Sequence, residues 1–353
     1  YVATVTLTPQ NAAQAVEMAR MGGNLAGPVQ WIAFSPDGMW LAGSTYDELH
    51  LWDVQSRKLL WERALPTQAM TFNPGGQVLA VASRDVIFLD AATGEQQGML
   101  KGHAGGTTCL AFNADGSWLA TGGADGQVRI GSLTTRRLVG KFDHPAPVRA
   151  LALSPDAGTL ATISWGTGDQ PRQVCLWDVA SGAQRGVLPA NREKNLAFSP
   201  DGALLAVDGK VFSLEDERVV HDLNERQLTF SPDGQLIAGC HSNFPTVGLW
   251  EAASAEKLHV LKGHSDPVWY VAFNPDGTLL ASGSGSSSAG AMLRSETAGD
   301  SGDCSVRLWG VPQVQTREPQ RERKPLKRLG EDPEDKEETL LKPVQDWLNK
   351  LSR

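Results

Sequence analysis

Cysteine is scarce. The chain has four in 353 residues, Cys109, Cys175, Cys240 and Cys304, and no two stand at the spacing of a metal site or a redox pair. Their expected role is that of small buried or half-buried side chains. A disulfide between Cys240 and Cys304 stays open, and cysteine usage does not settle the redox compartment. Long apolar runs are missing too. No stretch of 18 apolar residues occurs, so no helix is expected to span a bilayer. Positive charge is in deficit, with 32 Lys and Arg against 40 Asp and Glu and a net charge of −8. That balance argues against a general nucleic-acid or membrane-surface binder. There is no Asn-x-Ser/Thr acceptor, no phosphate-binding loop, no His-Glu-x-x-His and no nucleophile elbow. The first residue is Tyr1 rather than Met, so a removed leader and a cut fragment both stay open. A cytoplasmic location is expected, or an extracytoplasmic one if a leader was removed.

What the chain has is a repeat, clearest over residues 263–309. Val268-Trp269-Tyr270-Val271-Ala272-Phe273 is apolar throughout and suits a short buried strand. Asn274-Pro275-Asp276-Gly277 is a turn with a mechanism: proline presets φ, Asp bonds nearby backbone and Gly tolerates the exit conformation. A second strand of small residues follows (279–284). Val306-Arg307-Leu308-Trp309 alternates, which predicts a third strand with Arg307 more exposed. The residue before each turn marks seven copies: Phe34, Phe72, Phe112, Leu153, Phe198, Phe230 and Phe273, spaced 32 to 45 residues apart. Units near 40 residues match the period of four-stranded propeller blades, which must stack to bury their faces. Seven copies in register favour that ring over a β-sandwich or a six-bladed ring with a stray copy.

At this point the chain resembles the WD-repeat β-propellers. The residues that carry the resemblance are Lys101-Gly102-His103 and Lys262-Gly263-His264. With them stand Leu51-Trp52-Asp53, Leu176-Trp177-Asp178, Leu249-Trp250-Glu251 and Leu308-Trp309. The expected fold is all-β, a seven-bladed propeller of four-stranded antiparallel blades over residues 14–311. Residues 1–13 lead in, and residues 312–353 form a charged tail ending in a short amphipathic helix. Local composition favours helix over residues 10–21. The family commonly completes its last blade with an N-terminal strand, however, so residues 14–22 are assigned as that closing strand.

The resemblance also implies a hydrogen-bonded set in the last blade, His264, Ser282, Asp303 and Trp309. A partial copy follows in blade three: His103, Thr121 and Asp125, with Gly131 where the Trp belongs. Ser, His and Asp invite a hydrolase reading. It is rejected because the set lies within one blade, where a buried His needs partners on both ring nitrogens. The role is structural. His144 has the matching loop position, without a matching Asp in its blade.

Binding is the better functional argument. Blades four, six and seven carry inserted residues at 165–172, 241–246 and 285–302, all on the face of the loops entering the first strands. Arg149, Lys194 and Arg226 stand at that mouth in consecutive blades, beside Trp269 and on the face carrying Trp165 and Phe244. Singly, such charges are more often just solvated. As a set they suit an acidic peptide or protein segment. In the tail, Trp347 and Leu348 belong to an apolar face at helical spacing, fit to dock on the propeller or on a partner. The expected function is a non-catalytic protein-interaction scaffold, a subunit of a larger complex. No cofactor, metal, nucleic acid or membrane insertion is expected. The rival is an enzyme or small-ligand binder working in the central channel.

Overall fold

The turns come first, because each joins the first two strands of a blade. In Ser35-Pro36-Asp37-Gly38 the Ser35 hydroxyl donates to Asp37 Oδ1 (2.5 Å) and accepts from the Trp40 amide (2.9 Å), while Gly38 takes φ +71°. Ser154 with Asp156, Ser199 with Asp201 and Ser231 with Asp233 repeat this clasp at 2.5, 2.5 and 2.6 Å. Where Asn leads the turn, its carboxamide oxygen takes the amide five residues on: Asn73 from Val78, Asn113 from Trp118, Asn274 from Leu279. The first turn residue thus closes the hairpin by itself, whichever small polar side chain it carries.

The computed structural model describes residues 3–22, 25–165, 172–190, 195–241, 243–285 and 303–313. Blade one pairs Trp31–Phe34, Trp40–Ser44, Glu48–Asp53 and Leu59–Ala64. Blade two pairs Ala69–Phe72, Val78–Ala82, Val86–Asp90 and Gln96–Leu100. Blade three pairs Thr107–Phe112, Trp118–Gly123, Gln127–Ser132 and Leu138–Asp143. Blade four pairs Val148–Leu153, Thr159–Ser164, Gln173–Asp178 and Gln184–Pro189. Blade five is the shortest: Leu196–Phe198, Leu204–Val207, Lys210–Ser213 and Arg218–Asp222. Blade six pairs Gln227–Phe230, Leu236–Cys240, Thr246–Glu251 and Lys257–Lys262. Blade seven has Val268–Phe273, Leu279–Ser284 and Val306–Pro312. Every sheet is antiparallel, and in the first six blades the four strands follow chain order, so the fold is the all-β, seven-bladed propeller expected.

The last blade is finished from the far end of the chain. Val16–Met21 pairs antiparallel with Val306–Gly310, and Thr4–Val5 adds to Val311 and Pro312. Local helix propensity survives only as a single 3-10 turn, Ala12–Gln14. Pairing along an open blade edge wins over it. One expectation fails in this blade: Arg307 is buried, not exposed. Its guanidinium is held by Glu17 of the closing strand and by Asp303, partners that the alternating pattern of its own strand does not reveal. The tail, with Trp347 and Leu348, lies outside the described residues.

The core is a chain of seams, one per pair of blades. Seven residues hold the same register on third strands: Trp52, Leu89, Gly131, Trp177, Phe212, Trp250 and Trp309, opposite Leu41, Leu79, Leu119, Leu160, Leu205, Ile237 and Leu280. Each large one packs back onto the preceding blade; Trp309 lies with Leu249 and Leu261, and Trp250 with Val211. Phe212 therefore stands in for the Trp that blade five lacks, and Gly131 alone brings no side chain. Nearer the axis, polar side chains tie first strands together. Thr108 donates to Val148 O (2.6 Å), Asn195 to Leu228 O (2.6 Å), and Gln227 accepts from the Val271 amide (3.0 Å). None of the four cysteines forms a disulfide.

Candidate functional site

In blade seven the histidine has both ring nitrogens engaged. His264 Nδ1 meets Asp303 Oδ2 at 2.8 Å and Nε2 meets Ser282 Oγ at 2.7 Å, while Trp309 Nε1 donates to the same hydroxyl at 2.8 Å. An ionised carboxylate can only accept, so Nδ1 carries the proton and Nε2 accepts from Ser282. Burial pushes the His264 pKa down, and His264 with Ser305 holds Asp303 well below the usual carboxylate range. Asp303 also binds Arg20 (2.9 Å) and the Ser265 amide (3.1 Å). With its hydroxyl donated to His264 and covered by the indole, Ser282 is fully buried. The arrangement links the entry to the first strand of one blade with its second and third strands, by hydrogen bonds among His264, Ser282, Asp303 and Trp309. Blade three repeats the first part: His103 Nδ1 to Asp125 at 2.8 Å and Nε2 to Thr121 at 3.0 Å. In blade four Trp177 donates to Thr162 (2.9 Å), while His144 only meets the Trp177 ring edge at 5.3 Å. Its buried Nε2 has no hydrogen-bond partner among the described residues, and burial lowers its pKa to about 4.

The face with the inserted loops holds two aromatic groups. Over blade four, Trp165 is 45 % exposed, with Arg149 at 4.8 Å from its ring centroid and Arg172 at 5.7 Å. A β-bulge between Val148 and Ala150 leaves Arg149 out of the ladder, and the same irregularity frees Thr108 and Trp269 in their blades. Bulges of this kind re-aim one side chain at a sheet edge. Desolvation, then the neighbouring Arg172, lowers the Arg149 pKa. Over blades six and seven, Phe244 is 58 % exposed and meets the His241 ring at 5.2 Å, tilted by 48°, and its carbonyl accepts from the Val268 amide (3.1 Å). Trp269 is half-buried and donates from Nε1 to Gly285 O (2.7 Å), at the start of the longest insertion. Lys194 lies outside the described residues. The sequence reading missed Arg172; its signal was its place at the end of the inserted loop that begins with Trp165.

Arg226 has an acidic neighbour, Glu225. Burial pushes the Glu225 carboxyl up to about 6, against the pull of Lys257 at 3.8 Å. The folded chain thus holds this proton more tightly than the unfolded chain, and stability falls as pH rises through that window. Glu225→Gln is expected to be more stable than the native chain at pH 8 by about 1–2 kcal/mol. The gain should vanish at pH 4, measured as urea midpoints. An equal gain at both pH values would show that the carboxyl does not titrate as described.

At the opposite face the channel mouth mixes apolar side chains with the polar turn residues Asn113, Ser154, Ser199, Ser231 and Asn274. Phe34, Phe112, Leu153, Phe198, Phe230 and Phe273 surround a cavity of about 530 Å³, and no titratable side chain lines it. Among the described residues no group of three or more His, Cys, Asp or Glu is placed to hold a metal. No described helix is long and apolar enough to cross a membrane.

The chain is similar to several named proteins. Target of rapamycin complex subunit wat1 of Schizosaccharomyces pombe is 28% identical over 146 residues, 39% of this chain and 45% of that protein. Protein FIZZY-RELATED 3 of Arabidopsis thaliana is 24% identical over 300 residues, 82% of this chain and 51% of that one. Eukaryotic translation initiation factor 3 subunit I of Phaeosphaeria nodorum is 32% identical over 103 residues, 29% and 30% of the two chains. The chain spans about half the length of the first two. A family model for the WD domain, G-beta repeat, matches residues 18–53, 94–130 and 255–310. The first match joins the strand that closes blade seven to the first three strands of blade one. The sequence repeat is therefore offset from the blade by one strand, as ring closure requires. With three such matches from first blade to last, and the same strand order in the blades between, the chain belongs to the WD-repeat β-propeller family.

Proposed function

We propose that this chain is a non-catalytic scaffold that holds an acidic segment of a partner protein on the face carrying the inserted loops. One observation carries the reading: Trp165 stands half-exposed with the guanidinium groups of Arg149 and Arg172 near its ring. Arginine and tryptophan are the residue types most enriched among those that dominate binding energy. Guanidinium groups also pair with carboxylates through two parallel hydrogen bonds. The relatives' names support a place in an assembly, since two of them are called subunits. The channel rival has less support, since the residues lining the mouth on the turn side include no titratable side chain. Residues 339–353, with Trp347 and Leu348, are a second proposed docking element.

Arg149→Glu combined with Arg226→Glu is expected to abolish partner capture from the native source, read by pull-down and mass spectrometry, without lowering the melting temperature. Unchanged capture by a folded double variant would sink the proposal for this face.

A further inference from the structure

Gly131 leaves a place in the ring that a side chain fills in the six other blades. It stands opposite Leu119, in the register where Trp52, Trp177, Trp250, Trp309, Phe212 and Leu89 stand elsewhere. A Cβ built on Gly131 would meet nothing within 4 Å. The space is an open groove of about 280 Å³ between blades two and three, walled by Val86, Leu100, Leu119 and Leu133. A dry apolar cavity of roughly 150 Å³ already holds benzene, so an indole fits. The polar partner for an indole is also present. In blades four and seven the tryptophan N–H donates to Thr162 and to Ser282. The matching hydroxyl in blade three is Thr121, which also lines the groove and is bound at 3.0 Å to His103 Nε2. As His103 Nδ1 faces the Asp125 carboxylate, Nε2 accepts from Thr121, and the hydroxyl keeps an acceptor for a further N–H. Cations line the rim. Lys101, Arg136 and Arg137 are exposed, and their side chains make no ion pair or hydrogen bond with any described residue.

We infer that the groove between blades two and three is a docking site for a tryptophan side chain carried by an acidic segment of a partner protein. The indole takes the place that Gly131 vacates, its N–H donates to Thr121, and flanking carboxylates meet Lys101, Arg136 and Arg137. Charge complementarity sets the choice of partner, because this cationic rim belongs to a chain whose net charge is −8. The groove lies away from Trp165 and does not depend on the inserted loops.

The test uses the full chain and two fluorescein-labelled peptides, Asp-Glu-Trp-Glu-Asp and its counterpart with Ala for Trp, read by anisotropy. The native chain is expected to prefer the Trp peptide by about tenfold or more. Gly131→Trp should fill the groove from within and erase that preference. Arg136→Glu with Arg137→Glu, both on an exposed hairpin, should weaken the Trp peptide by about tenfold and keeps the test decisive if Gly131→Trp does not fold. Equal binding of the two peptides, binding of neither, or an intact preference in folded Gly131→Trp overturns the inference. A preference that emerges only in Trp347→Ala would assign the groove to the chain's own tryptophan and overturn the partner assignment.

Discussion

Asp303→Ala is expected to lower the stability of the ring by roughly 3–5 kcal/mol, the range for removing one partner of a buried charge cluster. Asp303 is only 3% exposed, and its carboxylate takes hydrogen bonds from His264, Ser265, Ser305, Arg20 and Arg307. Truncation leaves the Arg307 guanidinium, itself buried, with Glu17 as its remaining carboxylate. It also strips the proton acceptor that fixes the His264 tautomer. The loss should depend on pH in a definite direction. A depressed carboxyl stabilises the fold above its unfolded value, near 3.8, and that contribution fades as pH falls below it. Native and variant stabilities, measured as urea midpoints, should therefore converge toward pH 3 and stand furthest apart near neutrality. Asp125→Ala is the internal comparison. Asp125 is bound to His103 and to the half-exposed Arg129, so its loss should cost distinctly less. A cost for Asp303→Ala no larger than for Asp125→Ala would refute the account of blade seven as the more tightly braced of the two.

Gly209→Ala is expected to cost roughly 2–4 kcal/mol, from a left-handed backbone and a contact that cannot relax. Asp208 and Gly209 have φ +49° and +80°, both positive, as a type I′ hairpin turn requires. A Cβ on Gly209 would stand 1.9 Å from the Glu225 carbonyl oxygen, which is backbone. The two costs can be separated. Gly182 also has positive φ, +71°, yet a Cβ there meets nothing within 4 Å. Gly182→Ala should show the backbone cost alone, about 1 kcal/mol. Equal losses in the two variants, by chemical denaturation, would mean that the Glu225 contact is cheaply relieved.

The fold was legible because its turns are local. Ser35 and Asp37 hold one another across two residues, so the motif that marks a copy is also the motif that folds it. Ring closure was legible only through the family, since residues 10–21 favour helix and their strand partner lies at the other end of the chain. The site was less legible because its decisive contacts are distant in sequence or depend on irregular pairing. Arg20 reaches Asp303 across 283 positions. Arg149 stands out of the ladder because of a bulge that no residue type announces. Phe212 was not recognised as the occupant of the Trp register, because register across a seam is a property of paired strands and not of a tripeptide. Gly131 was noticed as a departure from the motif, but its surroundings come from blade two and needed coordinates.

The shared strand of blade seven has a mechanical consequence. Thr4 faces Pro312 and the Gln313 amide donates to Ala3 O at 2.7 Å, so the two arms of the chain leave the ring side by side. Tension between them bears on that first pair alone. Past that pair the load meets Leu7, hydrogen-bonded to Gly277 and buried with Ala12 and Ala15, before it reaches the pairs from residue 310 down to residue 306. The paired stretches are thus loaded pair by pair, as in peeling, and not all at once as in a sheared ladder, with the buried Leu7, Ala12 and Ala15 as the anchor between them. A ring that is firm against heat or denaturant at its braced seams would still have one place where a pull on its ends undoes it.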